Sequence, residues 1–410
     1  MNFGFKKNKI IFFILFFLIL GFAAFILFKY IMLSKQNKEA SLILNVYNWG
    51  NHISDGTNGY LNVNEEFEKN TGIKINYTTY PDNESLYAKL AASGTKYDVI
   101  IPSDYMIDKL KKENMLQKLD FSLIPNSSYI DEEFKNLEHD PQNEYSLPYT
   151  WGIIGIYYNK SIVSELEKEI DWNILWNKKY EKNILMFEGN PRDSFLIALL
   201  KLGFSINTTN KNELEMAANE IIKQKPLIKG YVSDQVFERV SSGETALAPY
   251  YADAWIINNK DKNLGFTIPK NTNKFLNSIC VPANAEHPKE AMMYINFLCD
   301  PEIASQNISG IGYSTPENAA REKIESKFYH SKILYPDEDI IKNAQVLKNL
   351  PQDTNDLIND LWLKTRASKS NDTTKLVLIF LIFSCVYIGL KFYKSLKNKR
   401  KLNKGNLVIV

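Results

Sequence analysis

Four short stretches place residues that suit a cation: VYNWG with Trp49, PSDY with Ser103 and Tyr105, PRDS with Asp193, and APYYADA with Tyr250 and Tyr251. Rings in company with carboxylates fit organic ammonium ions. An ammonium over an aromatic face gains about 0.5–2 kcal/mol, whereas one buried without a partner is strongly disfavoured. Each methylene laid against a ring adds roughly 0.8 kcal/mol.

Other chemistries find little support. There is no GxxxxGK[ST] phosphate loop, no GxSxG elbow and no GxGxxG turn, which weighs against an enzyme of those classes. His52, His139, His287 and His330 are scattered and no HExxH occurs; Cys280, Cys299 and Cys385 have no metal-ligand spacing. Neither a cofactor nor a metal is implied. Six lysines and one glutamate precede residue 40, and eight Lys/Arg with no acid follow residue 373. Of 49 basic and 47 acidic residues, 35 and 46 thus remain between the ends, a net charge of −11. An acidic central domain favours cationic ligands and disfavours nucleic acid.

The elements around these residues alternate. LILNVYNW reads as a strand, NVNEEFEKNTG as a helix ending at Gly72, IKINYTTY as a strand, DNESLYAKLAASG as a helix capped by Asp82 or Asn83, YDVIIPS as a buried strand and DYMIDKLKKENML as a helix. Such alternation predicts a mostly parallel sheet covered by helices, with ligands beyond the carboxyl ends of the strands. Trp49 and the Pro102–Tyr105 turn fall at two such ends. YSLPYTWGIIGIYYNK (145–160) reads as two extended pieces that carry the chain from one lobe into another. DWNILWNKKY reads as helix, and PRDSFLIALLKLG as a helix with Arg192 and Asp193 in its first turn. NKNELEMAANEIIKQ is amphipathic, with Leu214, Ala217, Ala218, Ile221 and Ile222 on one face.

Residues 10–28 form an uncharged run of nineteen, a helix about 28 Å long against a hydrocarbon core of roughly 30 Å. No small-residue cleavage site follows it, so an uncleaved anchor is expected. Residues 376–390 form a shorter apolar run that Lys375 and Lys391 extend by snorkelling. FKKNK before the first run and KFYKSLKNKRKLNK after the second place both termini in the cytoplasm and residues 40–373 outside the cell membrane.

VYNWG, YDVIIPSDYMIDKLKKENMLQKLD, YSLPYTWG, DWNILWNKKY, SICVPANAEHPKEAMMYINFL and GIGYSTPENAAR occur in that order over roughly residues 43–365. The ordered set resembles the spermidine/putrescine-binding proteins of bacterial ABC transporters. The resemblance implies an α/β, two-lobed periplasmic-binding-protein-like (type II) fold, here flanked by an N-terminal and a C-terminal transmembrane helix. The expected division is a cytoplasmic segment 1–9, anchor 10–33, lobe one 40–151 and 274–321, lobe two 152–273 and 322–368, linker 369–374, second span 375–393 and basic tail 394–410. In that family a polyamine lies between the lobes and passes to ABC permease subunits driven by a separate ATPase subunit.

Carried over, the family pocket maps onto Trp49, Ser103, Tyr105, Asp193, Tyr251, Phe275 and Tyr313. The sequence departs from the pattern at Asn190 and Asn277, where well-known members carry aspartates, and at His52, which replaces a polar or aromatic residue. An amide accepts a hydrogen bond from an ammonium but cannot neutralise it, which admits a shorter or less charged amine. Asp104 and Asp253 lie near enough in sequence to compensate, and DGTNGYLN (55–62) reads as an insertion beside the pocket mouth. Ferric iron held by Tyr250 and Tyr251, another small cation, and a sensor without transport are the competing readings.

Overall fold

The computed structural model describes residues 42–368, apart from 93, 95, 164–170, 189–190, 233–234, 254–256 and 258–262, together with 21, 25–26, 29, 381–391 and 393–394. The chain starts with β1 (Ile43–Trp49), α1 (Val63–Thr71), β2 (Lys74–Tyr80), α2 (Asn83–Ala91), β3 (Val99–Ile100) and α3 (Asp104–Lys112). Local chemistry sets these boundaries. Asn62 caps α1 by accepting from the Glu65 amide, and Gly72 ends it at φ 76°, a conformation that suits glycine. Asp82 caps α2 through the Ser85 amide.

Strand β1 pairs in parallel with β2 and β3. The 14-residue β4 (Ser146–Asn159) follows as one continuous strand with a bulge between Pro148 and Thr150, where the sequence suggested two pieces. Beyond it come β5 (Ile184–Phe187), α4 (Pro191–Leu202), α5 (Lys211–Gln224), β6 (Ile228–Val232), α6 (Val236–Ser241), β7 (Leu247–Tyr251), β8 (Leu264–Thr267) and β9 (Lys274–Cys280). Helices α7 (Pro288–Leu298), α8 (Pro301–Ile311) and, after short helical turns, α9 (Gln352–Ala367) complete the domain. Across the described residues the strands run β2-β1-β3-β9-β4-β7-β5-β6, with β8 on β4.

This is a two-lobed α/β fold, and β4 belongs to both halves. Ser146–Ile153 pair antiparallel with β9, whereas Ile154–Asn159 pair with β7 and β8. Two further segments lie beside the point of change. The Ile154 amide donates to the Asn273 carbonyl, the Lys274 amide to that of Gln345, and the Gln345 amide to that of Thr272. One core gathers Leu44, Val46, Phe67, Val99, Ile279 and Tyr294; another gathers Phe195, Leu199, Leu214, Ile221 and Trp362 between α4, α5 and α9.

Three sequence expectations need correction. Residues 322–343, expected in lobe two, pack on the first core instead: Ile324, Phe328, Leu334 and Tyr335 share it with Leu44 and Val46. The chain reaches the other half only at Gln345. DWNILWNKKY is not an α-helix but two 3-10 turns, Trp172–Trp176 and Lys178–Tyr180. Asp171 and Asn177 each accept from the amide two residues on, closing tight local turns instead of starting a longer helix. On α5, Leu214, Ala217, Ala218 and Ile221 are buried, but Gln224 is buried with them while Ile222 is only partly covered. Gln224 is satisfied there by donating to the Leu175 carbonyl at 3.0 Å. Among the described residues no helix is long and apolar enough to cross a membrane. Most of the run 10–28, the linker 369–374, residues 375–380 and the tail from 395 lie outside the described residues.

Candidate functional site

Because β1 and β3 run parallel, Trp49 and the turn after Ile100 emerge on the same side; β9 runs the other way, so its start meets them, with Ser103 bridged to Asn277. In the other half β5, β6 and β7 run parallel and end at Phe187, Val232 and Tyr251. The two sets of strand ends face one cavity of about 550 Å³. Trp49, His52, Ser103, Tyr105, Asp193, Tyr251, Phe275, Asn277 and Tyr313 all line it. Asn190 lies outside the described residues.

One wall is a continuous series of rings. The Tyr251 hydroxyl donates to Asp193 Oδ2 at 3.1 Å. The Tyr251 ring stands 5.0 Å from Phe275, Phe275 stands 6.2 Å from Tyr313, and Tyr313 stands 4.6 Å from His52. Phe275 owes its position to a missing side chain. A Cβ on Gly152 of β4 would lie 2.6 Å from Phe275 Cζ, so only glycine lets the ring seat against the strand. Opposite, Trp49 Nε1 and the Tyr80 hydroxyl both donate to the Ile101 carbonyl, at 2.9 and 2.6 Å, with the rings 4.8 Å apart. With its one polar atom engaged by the protein, the half-buried indole offers the cavity its apolar ring.

Acid gathers at the Asp193 end. Burial raises the Asp193 carboxyl to about 7, the Tyr251 hydrogen bond opposes that, nearby Glu84 reinforces it, Arg192 opposes it and Asp82 adds a smaller push upward. Tyr105 donates to Glu84 Oε1 at 3.0 Å, and burial likewise raises the Glu84 carboxyl. The Arg192 guanidinium lies 5.6 Å from the Tyr105 ring centre and donates to the Lys348 carbonyl. Burial and repulsion from neighbouring carboxyls raise both, and a nearby cation would favour their ionised forms.

Of the two proposed compensating acids, Asp104 lines the cavity, but its carboxylate accepts from the amides of Tyr105 (2.8 Å) and Leu276 (3.4 Å). Asp253 is not among the described residues lining the cavity, and its amide donates to the Tyr157 hydroxyl at 3.2 Å. Sequence reasoning missed Glu84, Asp82, Tyr80, Phe187 and Glu188. PDNE reads as a helix cap, which it is; only the folded chain brings Glu84 under Tyr105. Iron fits poorly here. Tyr251 donates a hydrogen bond to Asp193 and burial raises its phenol, and among the described residues no group of His, Cys, Asp and Glu is placed to complete a metal site.

Residues 62–336 match the family model of the bacterial extracellular solute-binding proteins. The chain belongs to that family. Among solute-binding proteins it is 36% identical over 316 residues to the spermidine/putrescine-binding periplasmic protein of Escherichia coli K12, covering 76% of this chain and 88% of that one. It is 29% identical over 348 residues to the putrescine-binding periplasmic protein SpuD of Pseudomonas aeruginosa, covering 80% and 92%. A solved structure of the spermidine/putrescine ABC transporter substrate-binding protein PotD from Streptococcus pneumoniae superposes with a TM-score of 0.68 at 32% identity, over 80% of this chain and 99% of that one. The family's task is to hold a solute rather than to transform it.

Proposed function

We propose that this solute-binding protein is the extracytoplasmic receptor of an ABC importer for linear polyamines. The observation that carries the reading is the ring series Tyr251–Phe275–Tyr313 joined at one end to Asp193. Rings cover methylenes and a carboxylate receives an ammonium, the combination a polyamine requires. Two lobes, meeting where β4 changes partners, close on the amine because each contributes contacts that neither makes alone. Trp49, Ser103, Tyr105 and Phe275 come from one; Asp193 and Tyr251 come from the other. The apolar runs at 10–33 and 375–393 anchor the receptor with both termini cytoplasmic, and tethering raises its concentration near the permease. Permease and ATPase are separate subunits.

Isothermal titration calorimetry of the purified full chain against putrescine, spermidine and their mono-acetylated forms tests the reading. Micromolar or tighter binding of at least one amine is expected; silence across the amines, or preference for a neutral or anionic solute, sinks it. Trp49→Ala removes a wall and weakens the bound amine at least tenfold on the same instrument, about 1.4 kcal/mol or more.

Affinity also follows pH. A ligand cation requires ionised Asp193, whose carboxyl sits at about 7 before binding. Lowering pH below that value makes the amine compete with a proton and reduces affinity by up to about tenfold per unit; raising it above lets affinity level off. Titrations at pH 5.5 to 8.5 check the slope, and buffers of different ionisation enthalpy report the released proton.

A further inference from the structure

The two ends of the ring series are chemically unlike. At one end stand Asp193 and Glu84, with Arg192 beside them offsetting part of their charge. At the other stands a neutral, hydrogen-bonded group. Ser103 Oγ donates to Asn277 Oδ1 at 2.8 Å, Asn277 Nδ2 lies 3.2 Å from His52 Nε2 and 3.3 Å from Thr150 Oγ1, and His52 Nε2 lies 2.9 Å from Thr150 Oγ1. His52, Thr150 and Asn277 are buried. Burial lowers the His52 imidazole to about 3 with no carboxylate acting on it, so it is uncharged at physiological pH. The described acids that line the cavity are Asp82, Asp104, Glu188 and Asp193. Asp104, the nearest of them in sequence to this end, already accepts from two backbone amides.

Such a group can meet an amide or a hydroxyl with donors and acceptors of its own, but it offers no counter-charge. A second ammonium placed there would give up hydration for a single carboxyl, that of Asp104, which is already held by the Tyr105 and Leu276 amides and is raised by burial to about 7. We propose that the pocket selects a linear amine with one free ammonium and a neutral hydrogen-bonding far end, of the N-acylated diamine class, over the corresponding free diamine. The ammonium lies at Asp193, the methylenes along Tyr251, Phe275 and Tyr313, and the acyl amide against Asn277, Ser103 and His52. This selectivity rests on the amine reading above and refines it.

The test compares putrescine with N-acetylputrescine by calorimetry on the full chain at pH 7.5. The expected result is N-acetylputrescine bound about tenfold more tightly, and a reversed order in Asn277→Asp, which restores a charge at the neutral end. Putrescine bound as tightly as or more tightly than its acetyl form by the unaltered protein overturns the selectivity while leaving the amine reading in place. No heat with either ligand removes both. The unaltered protein's ratio decides the matter even where Asn277→Asp folds poorly; a variant that keeps its melting temperature and does not favour putrescine counts against the proposal.

Discussion

Asp193→Asn lowers amine affinity by about a hundredfold or more while leaving the fold in place. Asparagine has nearly the same shape and its carbonyl can accept from Tyr251, as Asp193 Oδ2 does at 3.1 Å. What disappears is the charge. An ammonium enclosed by rings and deprived of its carboxylate loses on the order of 3–5 kcal/mol, the cost of separating a buried charge from its partner. Glu84 cannot take over fully, because its carboxyl already accepts from Tyr105. The substitution also flattens the rise of affinity through pH 7, leaving only the part that comes from Asp104, whose buried carboxyl likewise sits at about 7; a purely structural role for Asp193 would not produce that change. Calorimetry of both proteins across pH, with melting temperatures as the control for folding, gives the answer. An affinity within a few-fold of the parent would show that the cation is held elsewhere.

Gly152→Val is expected to break the ring series from behind. Its Cβ alone would come within 2.6 Å of Phe275 Cζ and 2.8 Å of Cε1, distances at which the ring has to move. Valine suits a strand, so β4 itself survives, and Phe275 is driven out of line between Tyr251 and Tyr313. Amine affinity drops about tenfold or more, and overpacking costs about 1–3 kcal/mol of stability. Gly155→Ala is the matched comparison. Its Cβ would meet Phe266 Cζ at 2.3 Å and the Thr267 carbonyl at 2.5 Å, neither of which lines the cavity, so it lowers the melting temperature and spares binding. Equal affinity losses in the two variants would mean that general strain, not the position of Phe275, is responsible.

Much of this was legible in the sequence because it obeys local or directional rules. Parallel strands gather their carboxyl ends, so Trp49 and the Ser103–Tyr105 turn were bound to be neighbours once the alternation of strands and helices was recognised. Asp193 stood out as an acid in the first turn of a helix. The hidden part depends on partners distant in the chain. Glu84 looks like any first-turn acid until Tyr105 reaches it, and Gly152 looks like a break in a hydrophobic run until Phe275 fills the space beside it. Residues 322–343 went to the wrong half because their short turns carry no mark of which core they join; Phe328 and Tyr335 decide that by packing. His52 could be located, but its neutrality follows only from the depth at which it is enclosed.

The strand that serves both halves constrains how they can move. Its neighbours at the crossing are laced to it and to each other through Asn273, Gln345 and Thr272, so the three cannot slip independently. They can twist together as one ribbon. On the proposed closure, the passage between open and shut states is a rotation with essentially a single degree of freedom, and little disorder has to be quenched when the guest arrives. One pair of spin labels, one on α1 and one on α5, would follow the whole motion as a single distance coordinate.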